Sequence, residues 1–181
     1  MRSRIPRISP LPESEWTDEV RELLPPGPGG APLNIFTTLA RYPKLLKRWM
    51  PFGNHVLGKN TLPPRERELL ILRTGWLCHS DYEFHQHTRV GLATGLTPDE
   101  IKKLTRDVSE WHGFDAVLVR AADELHAKQR LSDATWEALT ERLSEQQVFD
   151  LLFTVGQYTL VSMVLNSLGV QIEDGSEGFP R

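Results

Sequence analysis

Apolar residues recur along most of the chain at the three- and four-residue spacing of amphipathic helices. One such face, within residues 114–127, is formed by Val117, Leu118, Ala121, Ala122 and Leu125. Residues 145–168 are apolar nearly all round, which predicts that this helix is the most buried element of the fold. No stretch shows the strict alternation of a half-buried strand, so the pattern predicts an all-α fold.

Helix start and stop signals set the boundaries of the predicted helices. These helices span residues 14–24, 34–40, 43–57, 65–77, 80–94, 97–104, 114–127, 132–143 and 144–168, with residues 77–79 as the joint between two adjoining helices. Ser14 caps the first helix, and residues 97–100 and 144–147 are capping boxes. Pro51 is expected to bend or break its helix. Residues 25–30 form a loop rich in proline and glycine.

The composition is that of an ordinary soluble globular protein, with 181 residues of which 39% are hydrophobic and 25% charged. We expect an N-terminal arm and loop at residues 1–30, a helical domain at 31–170 and a C-terminal tail at 171–181. A formal net charge of −3 gives no reason to expect nucleic acid as a partner. Because no apolar run reaches the length of a membrane span and no signal-peptide core is present, we expect a cytoplasmic protein without a membrane partner.

The densest group of ionisable side chains lies at residues 65–87. Glu68 precedes an apolar run on the first of two helices, and Ser80, Glu83 and His87 stand at i, i+3 and i+7 on one face of the second. Two interpretations of Glu68 follow from the residues alone. In one, Glu68 is buried beside His87, where desolvation raises the pKa of the glutamate. In the other, Glu68 lies near the helix start, faces water and interacts with the helix dipole. The residues do not choose between them, and the family resemblance given below favours burial.

Glu83 and His87 are four residues apart on one helix, so their side chains can form a hydrogen bond. That bond would select the tautomer of His87 and raise its basicity, as a general base requires. Two structural alternatives remain for these residues. Ser80 and Glu83 also form a capping-box sequence, and His87 could simply hold two helices together.

Other polar residues of this segment have less defined roles. Tyr82 is either a core residue or a phenolic hydrogen-bond donor. His85 faces another side of the helix, and Gln86 is expected to point toward a subunit neighbour.

Redox and metal chemistry are both disfavoured by the residues present. Cys78 is the single cysteine of the chain, which excludes an intramolecular disulfide and predicts an inert, buried thiol. His79, Glu83 and His87 have the spacing i, i+4 and i+8, but one straight helix rarely supplies three metal ligands over two turns. We therefore expect no metal site.

Several short motifs in this segment carry a family resemblance. They are Arg67-Glu68-Leu69, Ile71-Leu72-Arg73 and Tyr82-Glu83-Phe84-x-Gln86-His87, followed by Gly91-x-Ala93-x-Gly95-Leu96-Thr97. Together they resemble the carboxymuconolactone decarboxylase family, within the wider alkylhydroperoxidase D-like superfamily. The peroxidase members have a glutamate, then a Cys-x-x-Cys pair, then a histidine. Glu68 and His87 match the glutamate and the histidine, whereas Ser80 and Glu83 stand at the two cysteine positions.

The resemblance spans about residues 30–170, is strongest at 62–100, and is weaker where Gln157 and Tyr158 lie. It implies an alkylhydroperoxidase D-like helical bundle. It also implies assembly as a homo-trimer or homo-hexamer, with the site partly made at a subunit interface. The roles of Gln157 and Tyr158 stay open.

The leading hypothesis is a cofactor-independent lyase or isomerase, similar to carboxymuconolactone decarboxylases, that acts on a small carboxylate or lactone metabolite of aromatic catabolism. Glu68 and His87 would exchange protons with the substrate, and Glu83 would orient His87. The expected substrate-binding residues are Ser80, Tyr82, His85, Gln86 and Cys78. Two alternatives are a thiol peroxidase that uses Cys78 without a Cys-x-x-Cys pair, and a non-catalytic oligomeric protein that binds a small molecule.

Overall fold

The computed structural model describes residues 5–27, 29–173 and 179, and within these residues it contains only helices, turns and irregular segments. The α-helices are α1 (Asp18–Leu23), α2 (Asn34–Leu39), α3 (Pro43–Asn54), α4 (Pro64–Leu77), α5 (Asp81–Ala93), α6 (Pro98–Lys103), α7 (Gly113–Lys128), α8 (Asp133–Thr140) and α9 (Glu145–Leu168). Two 3-10 turns lie at Glu13–Glu15 and Val108–Glu110, and a π-helical turn lies at His55–Lys59. The all-α prediction is confirmed.

Helix α4 forms the centre of the bundle. It packs against α5, α7 and α9, and every residue from Arg67 to Gly75 is buried. The prediction that α9 would be the most buried helix is therefore wrong. One face of α9 packs on α4, while Phe149, Phe153 and Met163 are each more than half exposed on the other. The largely apolar helix α9 thus has two apolar faces: one packs in the core, and the other is exposed on the surface of the bundle.

The joint between α4 and α5 folds the second helix back against the first. His79 adopts a left-handed conformation with φ of 51°, and the Ser80 N–H donates a hydrogen bond of 2.8 Å to the Gly75 carbonyl. A Cβ atom on Gly75 would lie 3.4 Å from the Phe84 nitrogen, at van der Waals contact, which shows how closely α5 lies against α4 at this point. The predicted joint at residues 77–79 is confirmed.

One predicted detail of the N-terminal half is wrong, and another is wrong in part. Ser14 caps no helix, because it lies inside the turn Glu13–Glu15, and α1 begins after Thr17, whose side chain accepts a hydrogen bond from the Val20 N–H. Pro51 was expected to bend or break its helix. It does not break it, because α3 continues to Asn54 and passes directly into the π-helical turn; the bend stays a prediction.

The helix caps of the second half are confirmed. Thr97 and Ser144 form complete capping boxes at α6 and α9, and Ser132 caps α8. Gly169 ends α9 in the left-handed conformation. These signals depend only on neighbouring residues, which explains why the sequence predicts them well.

Helix α9 is long and apolar enough to cross a membrane by length and composition, and among the described residues no other helix is. Half of the most apolar stretch of α9 is buried inside the bundle, and the buried residues of the helix include Asp150 and Gln157. The Asp150 carboxylate accepts hydrogen bonds from the backbone N–H and the hydroxyl of Thr61. Such a helix is only a weak indication of a membrane span, since core helices of soluble proteins have the same length and composition.

Both chain ends contact the bundle where they are described. The Arg7 N–H donates a hydrogen bond of 2.8 Å to the Leu168 carbonyl. The ring of Phe179 packs at 5.0 Å from the rings of Trp76 and Phe84, so the predicted tail contacts the bundle at this residue. The rest of the predicted tail beyond Glu173, like the first four residues of the predicted arm, lies outside the described residues.

Candidate functional site

A cavity of about 220 Å³ lies between α2, α3, α5 and α9. More than half of its apolar lining residues come from α2 and α3. Its polar lining consists of Asn54, Tyr82, Glu83, Gln86, His87, Arg89, Gln157 and Tyr158. A cleft with an apolar wall and a few convergent polar groups is typical of a small-molecule site.

His87 lies between two carboxylates on one wall of this cavity. Its Nδ1 atom is 2.6 Å from Oε2 of Glu68, and its Nε2 atom is 3.5 Å from Oε2 of Glu83. Glu68 is fully buried, and Glu83 and His87 are 4% and 8% exposed. The predicted proximity of Glu68 and His87 is confirmed. The predicted partners are exchanged, however, because Glu68 forms the short hydrogen bond that orients the ring and Glu83 faces the other nitrogen.

Glu68 does not line the cavity. Its second carboxylate oxygen, Oε1, accepts a hydrogen bond of 3.1 Å from Nε of Arg67, so both oxygens are engaged inside the bundle. The expectation that Glu68 exchanges protons directly with a substrate therefore does not fit the structure. Glu68 can act on a ligand only through His87.

The pKa values of the two acid–base groups nearest each other at the cavity, His87 and Glu83, are both raised. Burial by itself lowers the pKa of His87, but the hydrogen bond to the Glu68 carboxylate and the charges of Glu68 and Glu83 outweigh burial, and the net shift is upward. Burial raises the pKa of Glu83; His87 opposes this increase and Glu68 adds to it. The expected increase in the basicity of His87 is thus present, with Glu68 as its main cause, and an imidazole of this kind can take up and deliver a proton near neutral pH.

Tyr158 completes the cluster from α9. Its ring packs edge-on against His87 with 4.8 Å between ring centroids. Burial raises the pKa of Tyr158 well above its ordinary value, and the charges of Glu83 and Glu68 raise it further. Its hydroxyl makes no hydrogen bond to the rest of the described chain. A neutral phenol at this position can donate a hydrogen bond to a ligand.

Tyr82 and Gln86 line the cavity as expected for binding residues, but both are also tied to the end of the chain. The Tyr82 hydroxyl donates a hydrogen bond of 2.8 Å to Oε1 of Glu173 and accepts one from the Ile35 N–H. The Gln86 amide donates to the other oxygen of Glu173. The prediction that Gln86 points toward a subunit neighbour stays a prediction. Tyr82 is both a core residue and a phenolic donor.

Ser80, His85 and Cys78 do not line the cavity, although all three were expected to bind substrate. Ser80 is fully buried, and its hydroxyl has no hydrogen-bond partner among the described residues. The predicted capping box is also wrong, because the Ser80 side chain accepts no hydrogen bond from α5 and the Glu83 side chain points to His87. An inward-facing carboxylate cannot at the same time reach back to the helix start.

Cys78 lies on the other side of the joint, with its sulfur 3.7 Å from Nδ1 of His126. Burial raises the pKa of the thiol, which Thr159 and Ser162 counteract only in part. A thiol with a raised pKa forms little thiolate, the form that reacts with peroxides.

The three residues with metal-ligand spacing, for which no metal site was expected, do not form one cluster. His79 is exposed on the joint and does not line the cavity, whereas Glu83 and His87 do. No group of three or more histidine, cysteine, aspartate or glutamate side chains with metal-binding geometry exists in the described ranges.

Sequence analysis missed Arg89 and Trp49 as lining residues and left Gln157 and Tyr158 open. Arg89 is exposed, lines the cavity, and forms no ion pair with any described residue. Arg89 stands seven residues after Tyr82 and three after Gln86 on the same face of α5, and this spacing was the available signal. Trp49 gave no signal, since one tryptophan on an amphipathic helix is indistinguishable from a core residue.

Solved structures share this fold over nearly the whole chain. A peroxidase-related protein from Ralstonia eutropha JMP134 with an alkylhydroperoxidase AhpD core has a TM-score of 0.80 at 20% identity, with 92% of this chain and 93% of that chain covered. A peroxidase-related protein from Silicibacter sp. TM1040 has a TM-score of 0.72 at 16% identity, covering 95% and 91%. The debrominase Bmp8, in its apo form, has a TM-score of 0.73 at 13% identity, covering 92% of both chains. The predicted alkylhydroperoxidase D-like bundle is thereby confirmed.

Sequence comparison adds one match. The model of the carboxymuconolactone decarboxylase family matches residues 43–127, from the start of α3 almost to the end of α7. No curated protein matches the chain significantly. The matched segment contains Glu68, Glu83 and His87.

Proposed function

We propose, from the match of the carboxymuconolactone decarboxylase family model to residues 43–127, that this protein is a cofactor-independent lyase or isomerase. It moves protons on a small metabolite that bears a carboxylate or a lactone. One observation carries the proposal: a buried Glu68–His87 pair, joined at 2.6 Å, presents its imidazole to a cavity beside a second carboxylate. Such an arrangement is typical of acid–base sites.

His87 is the proposed proton donor. Glu68 occupies Nδ1, so Nε2 is the nitrogen available to a ligand in the cavity. Glu68 is a positioning residue: its carboxylate holds the ring in one orientation and stabilises the imidazolium. Glu83 lies on the Nε2 side of the ring. It can return a proton to His87 after His87 has given one to the substrate, or accept a proton that leaves the substrate.

The proton balance for a decarboxylation is simple. The bond between the substrate carboxylate and its carbon breaks, CO2 leaves, and the bonding electrons stay on the substrate as an enolate. The proton of His87 Nε2 then passes to that carbon and leaves a neutral imidazole. Tyr158 donates a hydrogen bond to the enolate oxygen, where charge develops. In an isomerisation the same groups remove a proton from one carbon and return it to another.

Arg89 is the proposed partner of the anionic end of the substrate, in place of Ser80. It is exposed at the cavity and has no carboxylate partner within the described ranges. An unpaired guanidinium binds a carboxylate with two parallel hydrogen bonds. It also offsets the repulsion that Glu83 would exert on an anion, so the substrate binds with its anionic end toward Arg89.

The test is turnover of a panel of carboxylated lactones and keto acids, carboxymuconolactone among them, measured as CO2 release and by NMR for isomerisation. We expect one class of compound to be turned over, with His87→Ala lowering kcat about 1,000-fold. His85→Gln, on the same helix but outside the cavity, is the matched control and should leave kcat unchanged. Unchanged turnover in both His87→Ala and Glu68→Gln would contradict the proposal.

The two alternatives make different predictions. A thiol peroxidase needs a reactive thiolate, whereas Cys78 has a raised pKa and lies away from the cavity. Peroxide consumption that is lost in Cys78→Ser would favour it. A binding protein without catalysis would hold a panel compound tightly and release it unconverted.

The proposed partner, besides substrate, is further copies of this chain in a homo-trimer or homo-hexamer. The exposed face of α9 carries Phe149, Phe153, Gly156, Leu160 and Met163. Their spacing of four, three, four and three residues is that of a coiled-coil seam, which a second copy can complete. Phe153 packs on Phe52 of α3, next to the cavity lining residue Gly53, so this face adjoins the site.

A further inference from the structure

A second cavity, of about 170 Å³, lies directly beside the acid–base cavity. Apart from Trp49, its lining consists only of leucine, isoleucine and valine side chains from α2, α3 and α9. The two cavities share Ile35, Trp49 and Val161 as a common wall. Trp49 is the largest of these side chains, so its indole forms most of the partition.

The Trp49 ring is held in place on one side and unsatisfied on the other. Its ring lies 6.3 Å from that of Phe36, centroid to centroid. A Cβ atom on Gly53 would lie 3.5 Å from the indole and 3.9 Å from the Gln157 amide nitrogen, so the missing side chain leaves space between Trp49 and Gln157.

The indole N–H of Trp49 is buried and has no acceptor among the described side chains and backbone groups. A buried donor without an acceptor is costly, so such groups are normally satisfied by whatever fills the neighbouring space. Since Trp49 also lines both cavities, its unsatisfied N–H is placed to donate a hydrogen bond to a ligand, and Trp49 is not only a packing residue.

We propose that Trp49 sets the length of the substrate. Its indole closes the acid–base cavity against the apolar cavity, so the apolar part of a substrate whose anionic end lies at Arg89 must end at Trp49. Removal of the indole joins the two cavities and admits a longer apolar chain. This inference rests on the proposed function for the orientation of the ligand, but it concerns binding and does not require turnover.

Linear alkanoates from propanoate to decanoate are the probe, because they vary only the length of the apolar part. Each methylene that enters an apolar cavity tightens binding about fourfold, and the gain stops when the cavity is filled. In the wild-type protein we expect Kd, measured by calorimetry, to level off at a short chain. In Trp49→Ala the affinity should keep rising as further methylenes are added. Decanoate should therefore bind to this variant at least about tenfold more tightly than to the wild type.

Two further variants separate volume from other effects. Trp49→Phe keeps a ring in the partition, so its plateau should stay near that of the wild type. Trp136→Ala removes an exposed tryptophan of α8 and should leave every Kd unchanged. Circular dichroism and thermal melting establish that each variant is folded.

Gly53→Leu keeps the experiment decisive even if Trp49→Ala does not fold. It fills the space beside the indole, so its plateau should move to shorter chains. The same plateau in wild type, Trp49→Ala and Gly53→Leu would overturn the inference, as would the absence of any alkanoate binding at millimolar concentration. If the Trp49 variants behave as expected while His87→Ala leaves turnover unchanged, the proposed function fails and the inference stands. If His87→Ala abolishes turnover while the Trp49 variants bind every alkanoate as the wild type does, the proposed function stands and the inference fails.

Discussion

The Glu68 carboxylate and the His87 imidazole lie 2.6 Å apart across two consecutive helices, and neither group is more than 8% exposed. Arg67 holds the other oxygen of Glu68 at 3.1 Å, and Tyr158 packs against the outer edge of the ring. The imidazole is thereby oriented from behind and open to the cavity in front. In this arrangement the two residues have different roles. The buried Glu68 carboxylate orients the imidazole ring, and His87 contacts the ligand.

Double-mutant analysis should show that Glu68 acts through His87. Glu68→Gln should lower kcat about 100-fold with little change in KM, because it removes the charge that stabilises the imidazolium. Added to His87→Ala, the same substitution should lower kcat no further. Steady-state kinetics of the two single variants and the double variant measure this. Additive effects would mean that Glu68 contacts the substrate independently.

The pH dependence of stability should report the same cluster. His87 and Glu83 both have pKa values above those of the unfolded chain, so the folded protein binds protons more tightly and stability falls as pH rises. The contribution of His87 is complete below the ordinary histidine pKa of about 6.5 and is lost as pH rises through the higher pKa of the folded state. The positive charge of Arg67 opposes the increase in the pKa of His87.

Urea unfolding between pH 6 and 9 measures this effect. The free energy of unfolding of the wild type should fall by an amount on the order of 1 kcal/mol more than that of His87→Gln over this interval. His85→Gln is the control and should follow the wild type. Parallel curves for the wild type and His87→Gln would show that the cluster does not bind an extra proton.

Arg89 should determine affinity for the anionic end of the substrate and not the rate of the chemical step. Arg89→Gln should raise KM about tenfold with kcat nearly unchanged, since it removes charge-assisted hydrogen bonds that ground state and transition state share. Arg89→Lys should recover only part of the loss, because an ammonium lacks the two-pronged geometry. Arg120→Gln, an exposed arginine of α7, is the control. A loss confined to kcat would assign Arg89 a different role.

The exposed face of α9 should control assembly. Phe153 is 53% exposed, and a lysine at this position would place a charge in an apolar contact between copies. Phe153→Lys should therefore shift the protein to a smaller species in size-exclusion chromatography with light scattering. Trp136→Lys alters an equally exposed aromatic residue on α8 and should not shift it. A wild-type protein that is monomeric at micromolar concentration would contradict the proposed assembly.

The sequence by itself determined the helices and most of their caps, while the meeting of Glu68 with His87 was expected from the family resemblance. The capping boxes at Thr97 and Ser144 involve residues within one turn, and the joint at residues 77–79 returns α5 onto α4 within a few residues. Since each helix has a definite period, the face of α5 that carries Glu83 and His87 follows from their spacing.

Only the tertiary structure decided which polar side chains reach the cavity. Ser80 and Glu83 share a helical face in the sequence, yet Ser80 is enclosed against α4 while Glu83 reaches the cavity. Trp49, Gln157 and Tyr158 enter from helices far apart in the chain, whose relative placement depends on packing of the whole bundle and not on any local pattern. Apolar surface is buried without directional preference, so periodicity shows that a residue turns inward but not which neighbour it meets there.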